Sequence, residues 1–138
     1  MSISLAIVPI REFESAKLRL SSSLSPVERS KLSVALINRT LSSIEKSEID
    51  HVSLVCSDPE SVHDLRSVYR KLTITKESIR HGGVNSAMVD GLNVMKTRFD
   101  ISETFLLPSD LPLLSSAALN EIISMLQEFD LVINPSKN

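Results

Sequence analysis

The sequence predicts a doubly wound α/β fold, in which a mostly parallel β-sheet is covered by helices on both faces. Short apolar runs alternate along the chain with segments whose apolar residues recur at helical spacing. The runs are almost continuously apolar, as in strands that are buried on both faces, and do not alternate apolar with polar residues. Such an alternation of strand and helix is typical of a parallel sheet with crossover helices.

Length and composition indicate one globular domain that spans residues 1–138. Hydrophobic residues make up 42% of the chain and the formal net charge is −2, so the composition favours a packed core and no nucleic-acid partner. No apolar run approaches the ~20 residues of a membrane-spanning helix, and the N-terminus shows no signal-peptide pattern. Cys56 is the only cysteine, which excludes a disulfide within the chain and favours a reduced, cytoplasmic location.

The first strand is predicted over residues 3–8 and stops before Pro9. A polar loop rich in serine, lysine and arginine follows it. The sequence SPVE at 25–28 then predicts a capping box, in which Ser25 and Glu28 cap each other's backbone and Pro26 takes the first helical position. The apolar face of this helix contains Val34, Ile37, Leu41 and Ile44.

The middle of the chain continues the alternation. Residues 51–57 predict a second strand and residues 72–75 a third. Between these strands, Asp58 as a cap and Pro59 in the first turn predict the start of a second helix. The apolar positions of that helix are Val62, Leu65 and Val68.

The last part of the chain predicts two more helices and two more strands. A loop that contains the glycine pair Gly82 and Gly83 precedes the next helix, and Ser115 caps the last one. Residues 104–108 predict a fourth strand and residues 130–135 a fifth. The apolar positions of the two helices are Ala87, Met88, Gly91, Leu92 and Met95 in one, and Leu119, Ile122, Ile123 and Leu126 in the other.

Ligands of doubly wound folds bind at the carboxyl ends of the strands, so a site is expected in the loops after Val8, Thr75 and Leu107. The first of these loops has neither the glycines of a dinucleotide-binding turn nor those of a P-loop. It carries Arg11, Lys17 and Arg19 instead. Several cations at a strand's carboxyl end suit a triphosphate, although a solvated basic loop remains the alternative.

Asp110 lies after the fourth predicted strand, in an otherwise apolar stretch between Pro108 and Pro112. The prolines restrict the backbone and so help to aim the carboxylate. A carboxylate at this edge, facing a basic loop, is a natural ligand for Mg2+ bound to phosphates. The alternative is an aspartate that only caps its own turn.

The third loop contains Gly83 and Asn85. A glycine lets the backbone approach a flat base or a sugar closely, and an amide side chain can read a base edge because it both donates and accepts. Asn85 could equally be the N-cap of the following helix, which its residue type favours.

Three blocks of these residues resemble one family, the 2-phospho-L-lactate guanylyltransferases. The stretch AIVPIREFESAKLRLSSSLSPVER resembles the family's signature V-P-[IV]-K-x-x-x-x-A-K-[ST]-R-L followed by L-[ST]-x-x-E-R. The stretches GGVNSAMVDGL and LLPSDLPLLSSAAL resemble its G-L-N-x-A-L and [LI]-[PM]-[AS]-D-L-P-L-L-[ST]-x-x-x-[LI] segments. In the first block the matching residues are Val8, Pro9, Ile10, Ala16, Lys17, Arg19, Leu20, Leu24, Ser25, Glu28 and Arg29.

The resemblance implies a GT-A-like, Rossmann-like nucleotidyltransferase. Members of the family join GMP from GTP to 2-phospho-L-lactate or phosphoenolpyruvate and release pyrophosphate, in the biosynthesis of coenzyme F-420. By resemblance, Lys17 and Arg19 would hold the GTP phosphates and Asp110 would ligate Mg2+. The expected partners are therefore GTP and a small phosphorylated carboxylic acid, with no membrane, and a homodimer is left open. The residues expected to contact the nucleotide are Val8, Pro9, Ile10, Arg11, Gly83, Asn85 and Ser109.

Two departures from the family pattern keep alternatives open. Arg11 stands where lysine is usual, which keeps the charge but changes its geometry. The family continues into a G-G-T-N-A segment that binds the acid and then a second metal-binding aspartate, whereas this sequence stops at INPSKN, so we expect an incomplete nucleotidyltransferase domain. The alternatives are a nucleotide-binding module without activity and another small-molecule nucleotidyltransferase, although the latter usually has a glycine-rich loop after its first strand.

Overall fold

A computed structural model describes residues 2–10, 25–79, 83–109 and 114–128. Within these ranges the chain forms a four-stranded, fully parallel sheet with helices on both faces, which confirms the predicted fold class. The fifth strand predicted at 130–135 lies outside the described residues. The elements are β1 (Ser2–Pro9), α1 (Pro26–Lys46), β2 (His51–Cys56), a 3-10 helix (Pro59–Ser67), β3 (Leu72–Lys76), α2 (Gly83–Lys96), β4 (Asp100–Leu106) and α3 (Ser116–Leu126).

The order of the strands is β3-β2-β1-β4. The chain therefore builds the sheet from β1 towards β3 on one side and then returns to place β4 on the other side of β1. Val8 pairs with Leu54 of β2, and Ile7 pairs with Leu106 of β4. This reversal of direction at β1 is the switch point at which doubly wound proteins bind ligands.

The side chains of β1 divide between the two faces of the sheet. Ala6 and Val8 belong to the larger apolar cluster, which also contains residues of α1, α3 and the 3-10 helix. Leu5 and Ile7 belong to the cluster under α2. Alternate residues of a strand point to opposite faces, so a strand covered on both faces is expected to be apolar at nearly every position, as the run at 3–8 predicted. Ser4 is the polar exception, and its hydroxyl accepts the Asp50 backbone N–H at 3.0 Å.

The start of α1 confirms the predicted capping box. The Glu28 backbone N–H donates to Ser25 Oγ at 3.2 Å, and the Ser25 backbone N–H donates to Glu28 Oε1 at 2.9 Å. Three of the four predicted apolar positions are buried, whereas Val34 is 37% exposed and lies off the buried face. The remaining three positions are Ile37, Leu41 and Ile44.

The α-helix predicted after Asp58 is wrong in type, since residues 59–67 form a 3-10 helix. The Asp58 side chain makes no capping hydrogen bond there. Ser61 and Ser67 instead donate their hydroxyls to carbonyls three residues earlier, at 2.7 and 2.8 Å. Such local bonds compete with α-helical ones and favour the tighter helix. Of the predicted apolar positions, Val62 is buried, whereas Val68 is 62% exposed.

Strand β4 begins four residues earlier than predicted, at Asp100, and ends at Leu106, two residues earlier than predicted. Its first residues are polar and partly exposed, so their sequence lacks the apolar run that identified the other strands. They pair nonetheless, since Asp100 lies opposite Ser2 and Ile101 opposite Ile3. The register then shifts so that Ser102 is an extra residue in β4, and its hydroxyl donates to the Ile3 carbonyl at 3.1 Å.

Gly91 lets α2 lie close to the sheet. A Cβ atom at this position would lie 3.1 Å from the Cγ2 atoms of both Ile7 and Val55 and 3.3 Å from Ser53 Oγ. These three neighbours belong to buried strands, so they can yield little. The close approach of α2 to β1 and β2 therefore depends on the absence of a side chain at position 91.

We expect Gly91→Leu to lower the free energy of unfolding by about 3 kcal/mol, at the upper end of overpacking costs, since three buried neighbours would have to move. Asn93→Leu is the matched control, because it adds the same side chain at an exposed position of the same helix and should change stability by less than about 0.5 kcal/mol. Urea unfolding of both variants measures the effect. Equal midpoints would show that the helix–sheet contact tolerates a side chain at position 91.

Candidate functional site

The carboxyl ends of β1 and β4 form the centre of the candidate site. The two strands are neighbours and run in parallel, so the segments that follow them leave the sheet at the same edge. The Leu107 backbone N–H donates to the Ile7 carbonyl at 3.0 Å, and this bond is the last between the two strands among the described residues. The loops that carry the predicted cations and the predicted carboxylate thus start from adjacent strands at the switch point.

Pro9 ends the hydrogen-bonded pairing between β1 and β4 at this edge of the sheet. The Ile10 backbone N–H donates to the Val55 carbonyl of β2 at 2.9 Å, so pairing with β2 continues one residue past Pro9. Backbone N–H groups of a strand point alternately to its two neighbours, which places position 9 on the β4 side. A proline has no N–H to donate, so the ladder to β4 ends there and the two strands can diverge at the switch point.

Three of the predicted nucleotide-contacting residues occupy this strand end. Val8 is fully buried, and Pro9 and Ile10 are half-buried. The predicted phosphate-binding and metal-binding side chains lie outside the described residues, and their roles stay predictions. They are Arg11, Lys17, Arg19 and Asp110.

Two hydroxyl groups of α1 bond to the backbone on either side of residues 110–113. Thr40 Oγ1 donates to the carbonyl oxygen of Ser109 at 3.1 Å, and Ser43 Oγ donates to the carbonyl oxygen of Leu114 at 2.8 Å. Thr40 is fully buried. Sequence reasoning did not single it out, although its position was the signal, because a threonine stood on the apolar face of a predicted helix between Ile37 and Leu41.

The first turn of α1 carries a buried cation. Arg29 is only 7% exposed and follows directly on the capping box. The sequence analysis counted Arg29 as a match to the family signature but gave it no role. Hydrogen bonds from the backbone and side chain of Ser25 hold the pKa of Glu28 below its ordinary value, so the carboxylate that caps this turn stays ionised at neutral pH.

Three predicted nucleotide-contacting residues remain. Ser109 is half-buried at the end of the β4 segment, and the start of α2 holds the other two. Gly83 has a φ of +85°, a left-handed conformation that favours glycine, and a Cβ atom there would meet nothing within 4 Å. Asn85 is exposed and lies inside the first turn of α2, so the N-cap interpretation of Asn85 is wrong. Upstream, the backbone N–H and hydroxyl of Ser78 both donate to the Asp90 carboxylate at 2.8 Å. This pair of bonds ties the loop after β3 to α2.

Other reactive groups of the described residues are engaged in packing. Cys56 is buried, and burial, assisted by the nearby Asp58 charge, raises its pKa to about 11, so its thiol is protonated and inert. His51 stacks on Phe99 with ring centroids 4.4 Å apart. The described ranges contain no group of three or more His, Cys, Asp or Glu side chains that could hold a metal ion. They also contain no helix that is long and apolar enough to cross a membrane.

Comparison with known proteins gives three related findings. The model of a family described as guanylyl transferase CofC like matches residues 4–138. A 2-phospho-L-lactate guanylyltransferase from Methanosphaera stadtmanae is 32% identical over 140 residues, which cover 99% of this chain and 58% of the relative. A phosphoenolpyruvate guanylyltransferase from Roseiflexus is 30% identical over 111 residues, which cover 80% of this chain and 47% of that protein.

A solved structure shows the same fold. A nucleotidyl transferase from Methanothermobacter thermautotrophicus superposes with a TM-score of 0.63 at 15% sequence identity, over 88% of this chain and 57% of that one. The chain thus spans about half the length of the proteins that it matches.

We expect Ser25→Ala to lower the free energy of unfolding by about 1 kcal/mol, because the first turn of α1 loses the acceptor for the Glu28 N–H. Ser25→Asn, which can also cap a helix, is the matched control and should retain most of the stability. Urea unfolding at pH 7 measures both variants. Equal losses in the two would show that the cap does not stabilise this turn.

The same turn predicts a pH dependence. The pKa of Glu28 is lower in the folded chain than in the unfolded chain, so its contribution is present above the unfolded pKa and is lost as the pH falls through the folded pKa. Glu28→Gln should therefore be less stable than the parent at pH 7 and closer to it at pH 3. Urea unfolding at both pH values tests this, and a difference that stays constant would contradict it.

Proposed function

Because this chain belongs to the guanylyl transferase CofC like family, as its three motif blocks predicted, we propose that it forms the nucleotide-binding part of a guanylyltransferase. The proposed reaction joins GMP from GTP to 2-phospho-L-lactate or phosphoenolpyruvate and releases pyrophosphate, in the biosynthesis of coenzyme F-420. We place it in the cytoplasm, where GTP is available. The observation that carries the proposal is the family match over residues 4–138, on a sheet whose switch point lies between the two predicted site loops.

The backbone at the carboxyl end of β1 favours a guanylyltransferase of this family over nucleotidyltransferases that bind phosphates with a glycine-rich loop. Related enzymes that use a glycine-rich loop cradle the phosphates with backbone N–H groups close to the strand end. Here Pro9 offers no N–H, and the Ile10 N–H is already bonded to Val55. The phosphates of GTP would therefore be held by cationic side chains of the loop, for which Lys17 and Arg19 are the candidates, with Arg11 closest to the strand.

The nucleoside would lie along the carboxyl edge of the sheet. In this proposal the backbone at Val8 to Ile10 and at Ser109 would contact the nucleotide, and Gly83 and Asn85 would contact it from the start of α2. The open space at Gly83 would allow a base or a ribose to approach the backbone closely. The exposed amide of Asn85 could then donate to and accept from a guanine edge.

In this proposal Mg2+ is shared between the chain and the nucleotide. Mg2+ in such enzymes is usually held by one or two carboxylates together with substrate phosphates. Asp110 follows Ser109 directly at the end of the β4 segment and is the carboxylate that would hold it. When bound, the ion would neutralise charge on the phosphates.

The reaction needs no covalent bond to the protein. A phosphate oxygen of the acid would attack the α-phosphorus of GTP in line, forming one P–O bond while the bond to the bridging oxygen of the departing pyrophosphate breaks. The chain's own contribution would be to align the two reactants and to compensate charge. Lys17 would stabilise the charge that develops on the departing pyrophosphate.

We expect Lys17→Ala and Asp110→Asn each to lower turnover about 100-fold, since one charged contact in a closed site is worth roughly 3 kcal/mol in the barrier. Pyrophosphate release with GTP, MgCl2 and either acid measures it. Lys31→Ala and Asp64→Asn, two exposed positions on α1 and the 3-10 helix, are the controls and should turn over normally. Near-normal rates in both site variants would end the assignment of these residues.

Nucleotide binding without transfer is a second candidate, which requires only the strand ends at the switch point. This candidate predicts that GTP with MgCl2 raises the melting temperature, since a ligand that binds only the folded state stabilises it, while no pyrophosphate appears with either acid. CTP and ATP with MgCl2 in the same assay would separate guanylyl transfer from cytidylyl or adenylyl transfer.

A further inference from the structure

An exposed valine at the start of α2 lies on the face of the helix that packs on the sheet. Val84 precedes three buried positions of α2 by three, seven and eleven residues, a spacing that places all of them on one face of a helix. These positions are Ala87, Gly91 and Met95. A Cβ atom at Gly91 would meet side chains of β1 and β2, so this face is directed at the sheet. Val84 is nevertheless 52% exposed.

Val84 is exposed because the start of α2 extends past the carboxyl edge of the sheet. The helix connects two strands that run in the same direction, so it begins at that edge. Gly91 lies beside Ile7, from which β1 continues for only two residues, or about 7 Å. Val84 lies seven residues nearer the start of the helix than Gly91, about 10 Å along its axis. The side chain therefore projects beyond the end of β1.

The position of Val84 suits the base of a nucleotide better than its phosphates. An apolar side chain is stabilised when a flat ring removes it from water, whereas it offers a phosphate neither a hydrogen bond nor an opposite charge. Gly83, its neighbour in the chain, has open space where a Cβ atom would stand, so a ring could approach the start of the helix closely. This edge of the sheet is the one at which doubly wound proteins bind ligands.

We propose that Val84 is a nucleotide-binding residue, whose side chain packs against the face of the purine base. The assignment rests on the proposed function, in which GTP binds at this edge of the sheet. It adds an apolar contact to the polar contact expected from Asn85. The apolar contact depends on the ring area that is covered, so Val84 contributes affinity for the base, and reading of the base edge is left to the amide of Asn85.

The same helix offers a matched control. Val89 is 54% exposed, close to the value for Val84. It lies two residues from both Ala87 and Gly91, which turns it to the side of the helix opposite to the sheet. Single exposed apolar side chains are common on protein surfaces, so exposure alone does not distinguish the two valines. Their faces distinguish them, and only Val84 is directed towards the carboxyl edge of the sheet.

The experiment is a calorimetric titration of GTP with MgCl2 into the full chain. Val84→Ala removes two methyl groups and should raise the Kd for GTP about fivefold, because part of the apolar contact with the base is lost. Val89→Ala removes the same groups from the outer face of the helix and should leave the Kd unchanged. Val84→Ile keeps a branched apolar side chain and should bind GTP as the parent chain does.

Inorganic tripolyphosphate with MgCl2 serves as a probe that has no base. Its affinity should be the same for Val84→Ala and the parent chain, because the proposed contact involves only the ring. A loss of tripolyphosphate affinity as large as the loss of GTP affinity would show that the substitution acts on the phosphates, and would overturn the assignment.

The outcomes also separate this assignment from the proposed function. A parent-like Kd for GTP in Val84→Ala, while the parent chain binds GTP, would overturn the role of Val84 and leave the proposed function standing. Equal losses in Val84→Ala and Val89→Ala would show a general effect on the helix and would likewise overturn that role. Absence of GTP binding by the parent chain would overturn the proposed function and this assignment together.

Discussion

The complete burial of β1 is the constraint on which the rest of the structure depends. This strand has a parallel neighbour on each side and a helical layer on each face, so every side chain from Ile3 to Val8 is removed from water. Burial on both faces favours a nearly continuous apolar run, and the one polar residue in it, Ser4, is hydrogen-bonded to Asp50. It also makes β1 the strand from which the sheet grows in both directions, and the switch point follows from that position.

The way in which β1 ends determines how the backbone is hydrogen-bonded at the carboxyl edge of the sheet, where the candidate site lies. Pairing with β4 stops at Pro9 for lack of an N–H, while pairing with β2 extends to Ile10. The predicted basic loop therefore follows a strand end that is still hydrogen-bonded to β2 and is no longer hydrogen-bonded to β4. Of the described residues at this strand end, Pro9 has no N–H and the Ile10 N–H is already bonded to Val55, which is consistent with the proposal that cationic side chains of the loop hold the phosphates.

Local signals predicted much of the fold, and contacts between distant segments account for what was missed. The SPVE box lies within four residues and was readable, as was the apolar run of β1. The 3-10 helix at Pro59–Ser67 escaped because hydroxyl-to-carbonyl bonds decide between two helix types that share the same apolar spacing. The start of β4 escaped because its first residues pair through Ser102 and a register shift, not through an apolar pattern.

In the candidate site too, local sequence signals were readable and contacts between distant segments were not. The sequence predicted that the loops after β1 and β4 bind the nucleotide, and both the roles and the placement of Lys17 and Asp110 stay predictions because these residues lie outside the described ranges. Thr40 was visible only as a polar residue on an apolar face, since its partner is 69 residues away. Helix α1 covers one face of β1 through its apolar residues and bonds the segment after β4 through its hydroxyls. One helix thus contacts both β1 and the segment after β4, so the packing that buries β1 also holds Ser109 at the β4 edge of the candidate site.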